Sequence, residues 1–373
     1  MPTTHLKKTI LVTAVTLSTA LTLAACNSSS SSSSGGGNGG SPGNNEAQHD
    51  DAGVFSTSAP LNSTNDVETA TAKFNDGVTG DQSIDQFIGD VERAFSRELT
   101  AQAANSEDSH QSRADRIRAR FGKGRANGEA EAASFTEACP GGGEVTADQG
   151  GDDWDARSGS AWDELTFTNC QLNLRGWGHL TLNGTYSEER DWDDATPGFE
   201  DWTAAYEIQG TVSSDNADDP LILSGSESWR WSWDDSSETL DITIPRLEFV
   251  VGDHYIGFLN VDLAWSEEEQ STASGSLYPY EERWTGQFGS SALGGNVDIS
   301  TPQTIAGPNF DACPTQGVFR LSGDDGVAEA RFGADSGTSD EVVLEINGSA
   351  AERFARCDDF YDRFELLGDA WFD

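Results

Sequence analysis

The chain has 373 residues, with 64 Asp and Glu against 22 Lys and Arg, and a formal net charge of -42. That balance excludes a nucleic-acid binder, which needs positive charge to neutralise phosphates. One apolar run approaches the ~20 residues of a membrane-spanning helix, so a polytopic helical membrane protein is excluded as well.

In chain order, Lys7 and Lys8 form a basic n-region, Ile10 to Leu23 an apolar h-region, and Ala24 and Ala25 precede Cys26. This pattern reads as a secretory signal over residues 1–25. The ending Leu23-Ala24-Ala25-Cys26 resembles the lipobox of bacterial lipoproteins. The resemblance covers 26 residues and implies that Cys26 is diacylated (palmitate-type chains) through its sulfur, with the signal removed and the new N-terminus acylated. More than one acyl chain gives stable anchoring where a single chain binds marginally. Asn27, rather than Asp, follows the cysteine; in lipoproteins of enteric type this resembles the class placed at the outer membrane.

Residues 26–62 then read as a lipidated tether. Ser28 to Ser34 is a serine run, followed by Gly35 to Gly37, Asn38, Gly39 and Gly40. Such a chain buries no apolar surface and reaches roughly 30–36 Å as a flexible coil.

A helical segment is expected over 63–130. Ile84, Phe87, Ile88, Val91, Phe95 and Leu99 recur at three- and four-residue spacing, and Ser83 with Gln86 forms a capping-box pattern, which predicts a helix over about 84–103. Next come Arg113, Arg116, Arg118, Arg120, Lys123 and Arg125, six of the twenty positive charges that remain after signal removal. Two readings stand for them: contact with anionic lipid or lipopolysaccharide phosphate, and docking against the protein's own acidic surface.

From Phe135 the period changes to two. Trp202 to Val212, Leu221 to Trp233, Tyr255 to Trp265 and Tyr278 to Phe288 all alternate, and shorter runs fall at 165–167, 180–186, 240–244, 247–251, 318–321, 328–332 and 342–346. Turn clusters such as Asp234-Asp235-Ser236 separate them. The expectation for 131–373 is an all-β domain, an antiparallel meander of about a dozen strands. Twisted open sheets rarely exceed about ten strands, so closure into a barrel or a two-layer sandwich is expected.

With Cys26 assigned to lipid, Cys139, Cys170, Cys313 and Cys357 remain. An even number in an exported chain predicts disulfides with three connectivities open, and no CxxC spacing supports a metal site. The stretch from Cys139 to Gly184 resembles parts of uncharacterised exported bacterial lipoproteins over about 50 residues, a likeness that implies no activity.

Motifs for chemistry are sparse. The sequence contains no Gly-x-Ser-x-Gly elbow, HExxH or P-loop, and His179 and His254 sit beside predicted strands as surface residues. Glycoside hydrolysis needs two carboxylates about 5–10 Å apart, which 64 acids cannot single out. Asp153, Asp155 and Glu164 form a candidate Ca²⁺ loop, with Glu164 at its twelfth position; it departs from an EF-hand because Arg157 and Ser158 fill the fifth and sixth positions. Trp229, Trp231 and Trp233 share one strand face with Leu221 and Leu223 and read either as core or as a platform for stacking sugar rings.

The expected function is a lipid-anchored envelope lipoprotein at the bacterial outer membrane, with a non-catalytic structural or binding role toward an envelope protein or glycan. Alternatives are a polysaccharide hydrolase with paired carboxylates and a lipid carrier with a curved sheet. Only Lys73 and Lys123 would survive signal removal, against 18 Arg. Dispersed acid with little Lys resembles the surface of proteins from salty habitats, where counterions screen self-repulsion.

Overall fold

The computed structural model describes residues 55, 57–79, 87, 91 and 133–364, apart from 153–156, 175–177, 214–217, 273–274, 292, 309–312 and 338–340. Cys26, the Ser/Gly tether, the basic positions Arg113 to Arg125, Asp153 and Asp155 lie outside the described residues.

The first element is a helix, α1 (Thr64–Thr79). Its start is fixed by a reciprocal cap: the Asp66 N–H donates to Ser63 Oγ at 3.3 Å, and the Ser63 N–H donates to Asp66 Oδ2 at 2.9 Å. Val67 and Ala70 turn inward and are buried. The residues just before it, assigned by sequence to the tether, are packed: Ala59 and Leu61 are buried, and Ser58 forms a parallel bridge with Asn296.

Sixteen strands follow among the described residues. They are β1 (Ala133–Ala138), β2 (Gly142–Gly151), β3 (Ser158–Leu174), β4 (Gly178–Asp193), β5 (Gly198–Ser213), β6 (Asp218–Trp233), β7 (Ser237–Val251) and β8 (His254–Glu268). A small hairpin, β9 (Gln270–Thr272) and β10 (Gly275–Leu277), interrupts the series. Then come β11 (Tyr280–Ser290), β12 (Gly295–Gly307), β13 (Gln316–Ser322), β14 (Val327–Gly333), β15 (Val342–Ile346) and β16 (Ser349–Phe354). Apart from the hairpin, they form one 14-stranded antiparallel meander in sequence order. A second helix, α2 (Cys357–Phe364), closes the described chain.

The all-β meander is therefore as expected, but its closure is not. The sheet runs from an edge at β1 to an edge at β16, and these do not pair among the described residues. The reason lies in how the inner face is covered. Leu61, Val67, Ala70, Phe87 and Val91 join one apolar cluster with residues from β2 to β15. Phe87 meets Phe249 of β7 at 5.2 Å between ring centroids, and Phe360 of α2 meets Phe332 at 5.7 Å and Phe354 at 5.4 Å. Each such side chain contributes about 1.5–3 kcal/mol on burial, so covering segments supply what strand closure would otherwise provide.

β3 to β8 are 15 to 17 residues long, or about 50 Å at 3.3–3.4 Å per residue. The sequence pattern breaks one of them in two, at 240–244 and 247–251; the structure joins both runs in β7. Pro245 lies where its pairing with β6 shifts register, between Thr243 opposite Ser228 and Arg246 opposite Ser226. Proline has no N–H to give the ladder, and a bulge tolerates that inside a sheet.

Of the three connectivities, the structure contains the local one. Cys139–Cys170 ties the β1–β2 turn to β3, and Cys313–Cys357 ties the β12–β13 connection to α2, with Cα separations of 5.4 and 5.6 Å. Paired cysteines of this kind suggest an oxidising, extracytoplasmic location. None of the described helices is long and apolar enough to cross a membrane.

Candidate functional site

The long strands divide the inner face into two halves. One is apolar and fully buried, with Leu182, Tyr186, Tyr206, Ile208, Leu221 and Leu223 each inaccessible to solvent. The other, toward the β4–β5 and β6–β7 turns, carries tryptophan and carboxylate. Register sets the boundary: Gln149 opposes Asp163, Asp163 opposes Glu188, Glu188 opposes Ala204, and Ala204 opposes Glu227. Tyrosines of the neighbouring row donate across this line, Tyr186 Oη to Glu188 Oε2 at 2.5 Å and Tyr206 Oη to Glu227 Oε1 at 2.6 Å.

Beyond the boundary lie three rows. In the first, Arg190 opposes Trp202, which opposes Trp229, and the row continues through Ile242 and Leu263 to Trp284. In the second, Trp192 opposes Glu200, then Trp231, Leu240, Trp265 and Glu282 follow. The third runs from Gly198 through Trp233, Glu238 and Glu267 to Tyr280.

Trp192, Trp265 and Trp284 are buried, whereas Trp202, Trp229, Trp231 and Trp233 are half-buried. The three tryptophans singled out by alternation thus share a face with Leu221 and Leu223 as expected, yet they are neither sealed core nor a fully exposed row. Trp202 contacts Trp229 at 5.6 Å and Trp231 contacts Trp233 at 4.8 Å between centroids, which makes adjacent patches of indole.

Two carboxylates and one phenol of this half are shifted by their surroundings. Burial pushes Glu282 up to about 7, opposed by the hydrogen bond it accepts from Trp284 Nε1. Tyr280, beside it, is also raised, by burial first and then by the Glu282 charge. Glu200 is raised by burial against the attraction of Arg190, whose Nε lies 2.7 Å from Glu200 Oε1. The same guanidinium sits 5.5 Å from the Trp192 ring.

Trp202, Trp265, Glu282 and Trp284 are legible in the sequence only as strand alternation, and Glu200 only as a member of an acidic loop that could bind Ca²⁺; Glu200 lies instead in β5, opposite Trp192 and Trp231. Only cross-strand register brings these residues beside Trp229 and Trp231. Glu164 likewise is not in a loop: Ser158 to Glu164 belong to β3, and Glu164 opposes Asp148 and Ser187, on the face away from Asp163. Among the described residues no group of three His, Cys, Asp or Glu side chains is arranged to hold a metal ion. His179 and His254 are exposed at strand starts.

Comparisons with family models, with curated proteins and with solved structures find no match to this chain.

Proposed function

We propose that the protein is a lipid-anchored, non-catalytic binding protein of the bacterial outer membrane, and that the Trp-bearing half of its inner sheet face seats a glycan. The single observation that carries the glycan reading is the strip of half-buried indoles, Trp202, Trp229, Trp231 and Trp233, on two paired strands. Solvent-reachable aromatic faces fixed by a sheet stack on sugar rings without reorganising, and carboxylates beside them accept hydroxyl hydrogen bonds. The anchor reading draws on the Leu23-Ala24-Ala25-Cys26 sequence and is supported by the two disulfides.

Tryptophan emission gives the test. Oligosaccharides titrated into the mature protein should quench it saturably, and Trp229→Ala with Trp231→Ala should abolish the effect while leaving the melting transition cooperative. Quenching retained in the double variant would refute the site. For the anchor, metabolic labelling with a fatty-acid analogue should be lost in Cys26→Ser, and persistent labelling would refute it.

A hydrolase reading is favoured by one observation, the carboxyl of Glu282 held near neutrality among Trp265, Trp284 and Tyr280, as a general acid would be. Turnover of the same oligosaccharides, lost in Glu282→Gln, would select it over simple binding. The acyl-carrier alternative needs the apolar half of the face, which Leu61, Val67, Phe87 and Val91 fill.

A further inference from the structure

We infer that the glycan seated on the tryptophan strip is a cationic one, a chain of amino sugars with free amines; this rests on the glycan-binding reading above. Trp229, Trp231 and Trp233 alternate along β6, so successive indoles stand about 6.7 Å apart and the strip extends about 13 Å along the strand. Trp202 widens it onto β5. Because the rings touch one another in pairs, they present a surface and not a cage. A surface of that length suits several consecutive sugar rings, whereas a lone quaternary ammonium group calls for rings that surround it.

The charge of the seat selects among glycans. Glu200 stands directly opposite Trp231, Glu238 directly opposite Trp233, and Glu227 two residues before Trp229 on the same face. Counting Glu188 and Glu267 as well, the boundary and Trp rows hold Arg190 as their one cation among the described residues. A uronic acid or phosphorylated glycan would bring like charge against these carboxylates. A neutral sugar would use them only as hydroxyl acceptors. A protonated ring amine gains charge-assisted hydrogen bonds from them and a cation–π contribution from the indoles, and the chain's net charge of -42 steers it inward.

Three tetrameric probes of matched length decide the matter: glucosamine, N-acetylglucosamine and galacturonic acid oligomers, titrated into the mature protein by tryptophan quenching at low and high salt. The glucosamine tetramer should bind roughly tenfold or more tightly than its N-acetylated counterpart in low salt, with galacturonate weakest. That advantage should shrink severalfold in high salt and in Glu238→Gln, while affinity for the N-acetylated tetramer holds in both. Equal affinity for the two glucosamine forms, or an advantage indifferent to salt, would overturn the cationic assignment and leave the stacking site standing. Failure of all three tetramers to quench would instead remove the glycan-binding reading itself.

Discussion

Trp233 lies across Gly198: the two residues oppose one another on β6 and β5, and a Cβ built on Gly198 would stand 2.5 Å from the indole. The same Cβ would meet the carbonyl oxygens of Ala195 at 2.3 Å and Asp193 at 2.6 Å. A glycine thus makes room both for the ring and for the tight β4–β5 turn. Gly198→Ala should destabilise the protein by about 1–3 kcal/mol, the usual range for overpacking. It should also shift the tryptophan emission maximum, because Trp233 has to lift. An unchanged melting temperature and spectrum would show that this close approach is not needed.

The pH dependence of stability should carry a signature of Glu282. Its folded value, about 7, lies above the ordinary 4.5, so the native state holds a proton that the unfolded chain has given up between those limits. Stability from this group is therefore complete below pH 4.5 and is lost as pH rises through 7, by about 3 kcal/mol at most. Other carboxylates contribute their own slopes, so the difference between proteins is what matters. Denaturant unfolding from pH 4 to 8 should show Glu282→Gln falling less steeply than the parent. Parallel curves would refute the buried, proton-bearing state.

The sequence shows where strands run better than what their faces do. Alternation through Trp202–Val212 and Leu221–Trp233 identifies β5 and β6 to within a few residues, because period two is imposed wherever one face is buried. α1 lies within the 63–130 segment expected to be helical, but apolar periodicity places a helix only at about 84–103, because Thr64 to Thr79 has few large apolar residues; Val67, Ala70 and Thr71 are buried among its described side chains. The open sheet is not legible in the strands themselves, since the covering residues Leu61, Phe87 and Val91 are remote in sequence from the strands they protect. The division of the inner face escaped for another reason. Leu221 and Trp231 obey the same alternation, and nothing along β6 alone reveals that Trp231 faces Glu200 while Leu221 faces Gly210.

Loss of the second disulfide should be felt well beyond the bond. Cys313–Cys357 fixes the first residue of α2, whose Phe360 packs on Phe332 and Phe354. The loop it closes spans 44 positions, for which chain entropy gives about 4 kcal/mol. Cys313→Ser with Cys357→Ser should lower stability by about 2–5 kcal/mol and render α2 susceptible to limited proteolysis. Resistance equal to that of the parent would mean that the aromatic contacts alone hold the helix.

Charge density makes a prediction about ions. With -42 on 373 residues, acids on the outer face repel one another at distances comparable to the Debye length of dilute buffer, about 30 Å at 0.01 M against 3 Å at 1 M. The melting temperature should rise steadily from 0.01 to 1 M sodium chloride. A flat profile would show that the acidic surface carries no net repulsive cost.

The entry of the N-terminal segment into the sheet has a mechanical consequence. Asn296 of β12 donates its N–H to the carbonyl of Thr57 at 2.8 Å and accepts from the Ala59 N–H at 2.8 Å, and the Asp324 N–H holds the Ala59 carbonyl at 3.1 Å. Leu61 is fully buried just beyond. Force applied through the preceding residues therefore reaches β12 and the β13–β14 turn, deep in the meander, before it can act on α1. Because the Ser58 bridge is parallel to β12, a pull along the strand axis loads its hydrogen bonds together in shear instead of unzipping them singly. Load entering at this junction is thus shared between β12 and the β13–β14 turn, several strands away from the tryptophan strip on β5 and β6.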